Sequence, residues 1–318
     1  THKRLAIFLL QNAIWMYETF QIDGWRVDTY KYCDEHFLNQ LNDALAKEFP
    51  SLTSFGEAWV STVPASAYFC RNTMTLPFQH NLQGVTDFPV SFAMLDLLRK
   101  NINGPDAVSH LYTTLAQDML YQDPMRNCIF LDNHDMNRVY SETGEDTTAF
   151  EMGIGLLLTM RGIPELYYGT EILMKNFKNP SDAMVREDFP GGFQGDRKNK
   201  FVASGRSYQE NQAYNFVSKL AAFRKTSSAI SRGALMQYVP VNGLYVYFRY
   251  DKDQTIMCII NKDTLERTID FNDYQERTKG FGRAGDIMTG SIHNFSDRFH
   301  IAPGKMVILE LKKPAGKE

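Results

Sequence analysis

The chain has 318 residues, enough for one large domain and a smaller one. Hydrophobic residues make up 43% and charged residues 22%, which excludes a disordered chain. Its 34 basic and 37 acidic residues leave a net charge of −3, without the basic footprint that nucleic acid demands. No apolar run approaches the ~20 residues that span a bilayer. Cys33, Cys70, Cys128 and Cys258 lie far apart with no CxxC or metal spacing, so they read as buried reduced thiols or isolated residues and say little about compartment. The chain starts at Thr1 with no signal-peptide pattern and is expected to be a fragment or a processed product.

In chain order, Leu5, Phe8, Leu9, Asn12, Trp15, Met16 and Thr19 follow helical spacing. Gly24–Val27 predicts a short strand that ends in the polar cluster Asp28–Lys31. Phe37, Leu41, Leu45 and Phe49 mark a second helix, closed by Pro50. Leu52–Phe55 is another short apolar run and ends at Gly56-Glu57. A polar-aromatic connection, Ala58–Asn81, leads to a strand within Gly84–Phe88. Val108, Leu111, Tyr112, Leu115 and Met119 predict a helix, and Cys128–Leu131 a buried strand before Asp132-Asn133-His134-Asp135. Phe150–Met160 is an apolar helix, Ile163–Tyr168 a strand and Tyr214–Arg224 a helix. Strand followed by helix, repeated, implies parallel strands with crossover helices. Beyond Ser228–Gly233 the texture changes. Leu244–Tyr250, Thr255–Ile260, Arg267–Phe271 and Lys305–Leu311 are short β-rich runs that read as an antiparallel sandwich. The expected division is therefore 1–230 and 231–318. Tyr247, Phe248 and Tyr250 read as packing within that sandwich.

The polar residues of the first part gather at the C-terminal ends of predicted strands: Asp28, Glu57, and His134 with Asp135. That end carries the active site in α/β barrels. Side chains alternate along a strand, so Arg26 shares a face with Asp28 and can hold it ionised and aimed. Three carboxylates suit glycoside chemistry: an ionised nucleophile, a protonated general acid, and a third that binds hydroxyls. No GxSxG, Walker loop, GxGxxG or HExxH supports a rival chemistry.

Gly24-Trp25-Arg26-Val27-Asp28-Thr29-Tyr30-Lys31 resembles the nucleophile motif of the α-amylase family of glycoside hydrolases. Phe55-Gly56-Glu57-Ala58-Trp59 resembles its acid/base motif, and Phe130-Leu131-Asp132-Asn133-His134-Asp135 its third-carboxylate motif. Gly162-Ile163-Pro164 with Tyr167-Tyr168-Gly169-Thr170-Glu171 is similar to the family's last barrel strand. Each motif alone is weak, but four in order are specific. The wording is most similar to neopullulanase-like α-amylases of the bacterial starch-utilisation type.

The resemblance implies a retaining double displacement on α-1,4-glucans: starch, pullulan, cyclodextrins or maltooligosaccharides. Asp28 would be the nucleophile, Glu57 the acid/base and Asp135 the third carboxylate. His134 would contact sugar, Arg26 would orient Asp28, and Lys31, Tyr32 and Trp59 would line the acceptor side. Arg138 is a further candidate for sugar contact. Tyr167 and Tyr168 read as barrel filling. No organic cofactor is implied; calcium is allowed for in the intact protein, with its ligands expected mostly upstream of Thr1. Tyr32 stands where the family usually has His. One helix precedes Asp28, so the chain is expected to carry about strands 4–8 of a (β/α)8 barrel, N-terminally truncated, followed by a small antiparallel β-sandwich. The truncated piece is expected to be weakly active or inactive alone, with its open barrel edges masked by homodimerisation or left frayed. The resemblance suggests a periplasmic or secreted location. The rival readings are a transglycosylase of the same family and a non-catalytic glycan-binding relative.

Overall fold

The computed structural model describes residues 2–99 and 105–314. The elements run α1 Lys3–Phe20, β1 Gly24–Val27, α2 Glu35–Glu48, β2 Thr53–Gly56, α3 Val63–Tyr68, β3 Gly84–Val85, α4 Phe88–Leu98 and α5 Pro105–Leu115. Then follow β4 Cys128–Ile129, α6 Val139–Glu142, α7 Thr147–Thr159, β5 Ile163–Pro164, α8 Tyr208–Thr226 and α9 Ser228–Arg232. The C-terminal elements are β6 Ala234–Gln237, β7 Leu244–Tyr250, β8 Thr255–Asn261, β9 Arg267–Ile269, α10 Gln275–Thr278, β10 Arg283–Asp286, β11 Ile292–Asn294, β12 Phe299–Ile301 and β13 Lys305–Lys312. Two compact units divide the chain: Thr1–Phe92 with Thr114–Ile129, and Ala93–Thr113 with Phe130–Glu318. No described helix is long and apolar enough to cross a membrane.

In the first unit β1, β2 and β3 pair in parallel and in sequence order, and Thr86 bridges in parallel to Cys128 of β4. Asp34 caps α2 by accepting the Phe37 N–H. The β1–β2 register sets Arg26 opposite Phe55 and Val27 opposite Gly56, so the two strand ends are level. Gly56 has no substitute there: an added Cβ would lie 2.5 Å from the Tyr30 ring.

α1 differs from the usual amphipathic rule. Ala13, with Ile14 and Tyr17, packs toward Leu41 and Leu45 of α2 and Phe49 just past its end. The stripe read from the sequence points elsewhere: Leu5, Phe8, Leu9 and Trp15 are 44–64% exposed. α4 was not anticipated beyond a strand ending at Phe88. Apart from Ser91 and Asp96 its run is apolar and gives little amphipathic period, which suits a helix buried over most of its surface.

In the second unit α7 is buried over most of its length, as its uniform apolarity predicts. Gly155 lets Met306 and Ile308 of β13 approach it closely. Its last carbonyls would be orphans. Arg249 donates to Thr159 O at 3.0 Å, and Arg224 donates to Leu158 O and Gly162 O at 2.9 Å each. Burial pushes the Arg249 guanidinium down to about 10. The C-terminal sheet is antiparallel, in the order β11-β10-β13-β8-β7-β6, with β12-β9 as a separate pair. Val246, Phe248, Met257, Ile259 and Leu309 fill its core with Phe271, Phe299 and Ile301. Tyr247 and Phe248 are fully buried, Tyr247 sharing a 2.5 Å hydrogen bond with Thr159.

The two faces of α1 differ in what they stabilise. Leu45→Ala is expected to cost about 2–4 kcal/mol through the cavity it leaves beneath α1. Phe8→Ser is expected to fall within about 0.5 kcal/mol of the parent. Urea denaturation of both variants checks this.

Candidate active site

In the first unit the structure brings Arg26, Asp28 and Glu57 together at the C-terminal ends of β1 and β2. Arg26 Nη1 lies 2.5 Å from Asp28 Oδ1, and Nη2 lies 3.2 Å from Glu57 Oε1. One guanidinium thus serves both carboxylates, a use of its planar fork that an ammonium cannot copy. Thr29 follows in the left-handed region, φ 47°, an uncommon conformation for a β-branched residue. That turn aims the Thr29 N–H at Glu57 Oε2, at 2.8 Å. Glu57 N–H in turn donates to Val27 O at 2.8 Å, continuing the β1–β2 ladder. Glu57 is buried, whereas the Asp28 side chain is 67% exposed.

Lys31 donates to Trp59 O at 2.6 Å and lies 4.8 Å over the Tyr32 ring. It therefore ties the turn after β1 to the segment after β2. Trp59 stacks on Phe88, with centroids 4.5 Å apart and planes at 18°, and stays 37% exposed. Tyr32 is 76% exposed.

In the second unit His134 Nε2 lies 3.2 Å from Asp135 Oδ2. Arg186 Nη2 lies 2.5 Å from Asp135 Oδ1, and Arg186 Nε donates to His134 O at 2.8 Å. The Asp135 N–H donates to Asn133 Oδ1, and Lys178 Nζ donates to Asp135 O. Asp182 links the two cations, 3.2 Å from Lys178 and 3.5 Å from Arg186. Arg138 is 1% exposed. Its guanidinium lies 4.0 Å over Tyr167 and 4.8 Å over Tyr168, and Nη1 donates to Tyr168 O at 2.5 Å. Tyr167 and Tyr168 thus form the wall on which a buried cation rests. Burial pushes the Asp132 carboxyl up to about 6, against the pull of the Val139 N–H, Arg138 and Thr170.

Arg186 escaped the sequence reading, because it lies 51 residues from Asp135 in a polar stretch with no strand or helix period. Its spacing of four from Asp182 was the one local signal. Thr29 and Asp132 lie inside the α-amylase-like motifs, but their hydrogen bonds depend on backbone turns that residue type does not announce. Among the described residues no group of three His, Cys, Asp or Glu side chains could hold a metal ion.

The α-amylase catalytic-domain family matches residues 9–200, and the cyclo-malto-dextrinase C-terminal domain matches residues 235–310. The chain belongs to the α-amylase family. A cyclomaltodextrin glucanotransferase of Geobacillus stearothermophilus is 25% identical over 93% of this chain and 39% of its own. A cyclomaltodextrinase of Thermoanaerobacter pseudethanolicus is 21% identical over 88% of this chain and 45% of its own. The crystal structure of an Anoxybacillus α-amylase superposes with a TM-score of 0.79 at 20% identity, covering 99% of this chain and 64% of that one. The chain thus shares the fold while spanning less than half the length of those two curated relatives.

Arg138→Lys removes the planar stack and the short bond to Tyr168 O from a buried position. It is expected to cost about 2–4 kcal/mol. Urea denaturation against the parent chain measures it.

Proposed function

We propose that the protein is a retaining glycoside hydrolase that cleaves α-1,4-glucosidic bonds in starch-like glucans, cyclodextrins or maltooligosaccharides. The observation that carries this reading is the shared guanidinium of Arg26, which spans carboxylates at two adjacent parallel strand ends. Asp28, the more exposed, is the nucleophile. It attacks the anomeric carbon as the glycosidic C–O bond breaks, forming a glycosyl ester. Glu57 gives its proton to the leaving oxygen and later takes one from water, which opens the ester and regenerates Asp28. Arg26 keeps Asp28 ionised and aimed. Asp135 takes the third-carboxylate role and binds sugar hydroxyls, with His134 as its neighbour. The exposed Tyr32 and half-exposed Trp59, with Lys31, offer surfaces for the acceptor. The parallel strands are read as part of a (β/α)8 barrel.

The similarity to cyclomaltodextrin glucanotransferases favours a second reading, transfer to a sugar acceptor. The covalent intermediate is the same, and only the group that opens it differs.

Incubation with maltoheptaose separates these readings. Asp28→Asn and Glu57→Gln are each expected to lower cleavage at least about 100-fold. Products longer than the substrate would assign transfer. Undiminished cleavage in both variants would overturn the proposed roles.

A further inference from the structure

The segment between β4 and α6 carries His134 and Asp135, and its own first polar side chain closes it. Asp132 Oδ2 accepts the Val139 N–H at 2.9 Å, and Thr170 Oγ1 lies 3.0 Å from both Asp132 oxygens. Val139 begins α6, so its N–H has no partner inside that helix. At the same end Arg138 N–H donates to Asn176 O at 3.1 Å, and its guanidinium holds Tyr168 O. Start and end of the segment are thereby pinned to each other and to the stretch after β5. Asp132 is only 2% exposed. A neutral residue could cap α6 without the cost of a buried charge. The charge has another use beside Arg138.

We propose that Asp132 is a positioning residue, whose ionised carboxylate clamps both ends of the 132–139 segment and so fixes where His134 and Asp135 present their side chains. This rests on the reading of Asp135 as the third carboxylate. Two charged groups act on Asp132: Arg138, which favours the ionised form, and Glu165, which opposes it. The clamp tightens as pH rises through about 6, where the carboxyl loses its proton. Global stability responds oppositely. Unfolded, the same carboxyl ionises near its ordinary 3.8, so between 3.8 and about 6 the folded chain holds a proton that the unfolded chain has lost. This contribution to stability therefore falls as pH rises through that window. A purely structural role would follow the second trend, a clamp the first.

Hydrogen exchange of the amides of Asn133–Val139, in the whole chain, tests the clamp without substrate. With the intrinsic rate divided out, protection in the parent is expected to rise through about pH 6. Asp132→Asn should lower protection at neutral pH by about tenfold and flatten its pH dependence. Thr170→Val removes a hydrogen bond that favours the ionised form and should move the midpoint upward. Unchanged protection in a cooperatively folded Asp132→Asn, or an unmoved midpoint in Thr170→Val, overturns the proposal. If Asp132→Asn fails to fold, Thr170→Val decides. Cleavage by Asp28→Asn and Glu57→Gln judges the functional reading separately, so the two can fail independently. Where cleavage is measurable, Asp132→Asn should lower kcat about tenfold with KM within about twofold.

Discussion

Two carboxylates at the ends of neighbouring strands repel unless a cation lies between them. In this protein that cation is Arg26, and its position follows from backbone register. The parallel pairing of β1 and β2 makes their ends level, so Asp28 and Glu57 both fall within reach of one guanidinium. The register in turn needs Gly56, because the Tyr30 ring occupies the space a side chain would take. The Thr29 turn adds a backbone N–H to the second oxygen of Glu57. Strand pairing, a glycine and a left-handed turn converge on the orientation of two carboxylates.

The second unit solves a related problem with partners from farther along the chain. Asp135 is held by His134, its neighbour, and by Arg186 from beyond β5. Asp132 and Arg138 bond the ends of the same segment to Thr170, Tyr168 and Asn176. The buried α7 is fixed by arginines that satisfy its terminal carbonyls, Leu158 O and Thr159 O, a costly use of charge that only hydrogen-bonded burial permits. The likeness to α-amylases places these features in a shared fold.

The long helices were readable in advance because apolar residues recur along them. α2 and α7 appear where the spacing put them, with ends shifted by a few residues, and α8 begins at Tyr208, ahead of the expected Tyr214. α4 was missed because its mostly apolar run, broken only by Ser91 and Asp96, has almost no period to read. In the C-terminal sheet, β7, β8 and β13 were visible as long β-rich runs. β10, β11 and β12 have only three or four residues each and take their identity from the strands beside them. The stripe on α1 shows the limit of periodicity: Leu5, Phe8, Leu9 and Trp15 mark a helix correctly, yet the face that packs on α2 is the one with Ala13 and Tyr17.

Residue order was enough to place Asp28 and Glu57 at strand ends, and to put Arg26 on the face of Asp28; Asp135 lies in the loop beyond β4, which ends at Ile129. Strand alternation and strand length are local properties, written in a few consecutive residues. The partners of Glu57 and Asp135 were not written there. That Arg26 reaches Glu57 depends on how β1 and β2 pair, and that Arg186 reaches Asp135 depends on the path of a long polar stretch. Folding chose these contacts, because an ion pair forms where the backbone brings opposite charges within a few ångströms, whatever their separation along the chain.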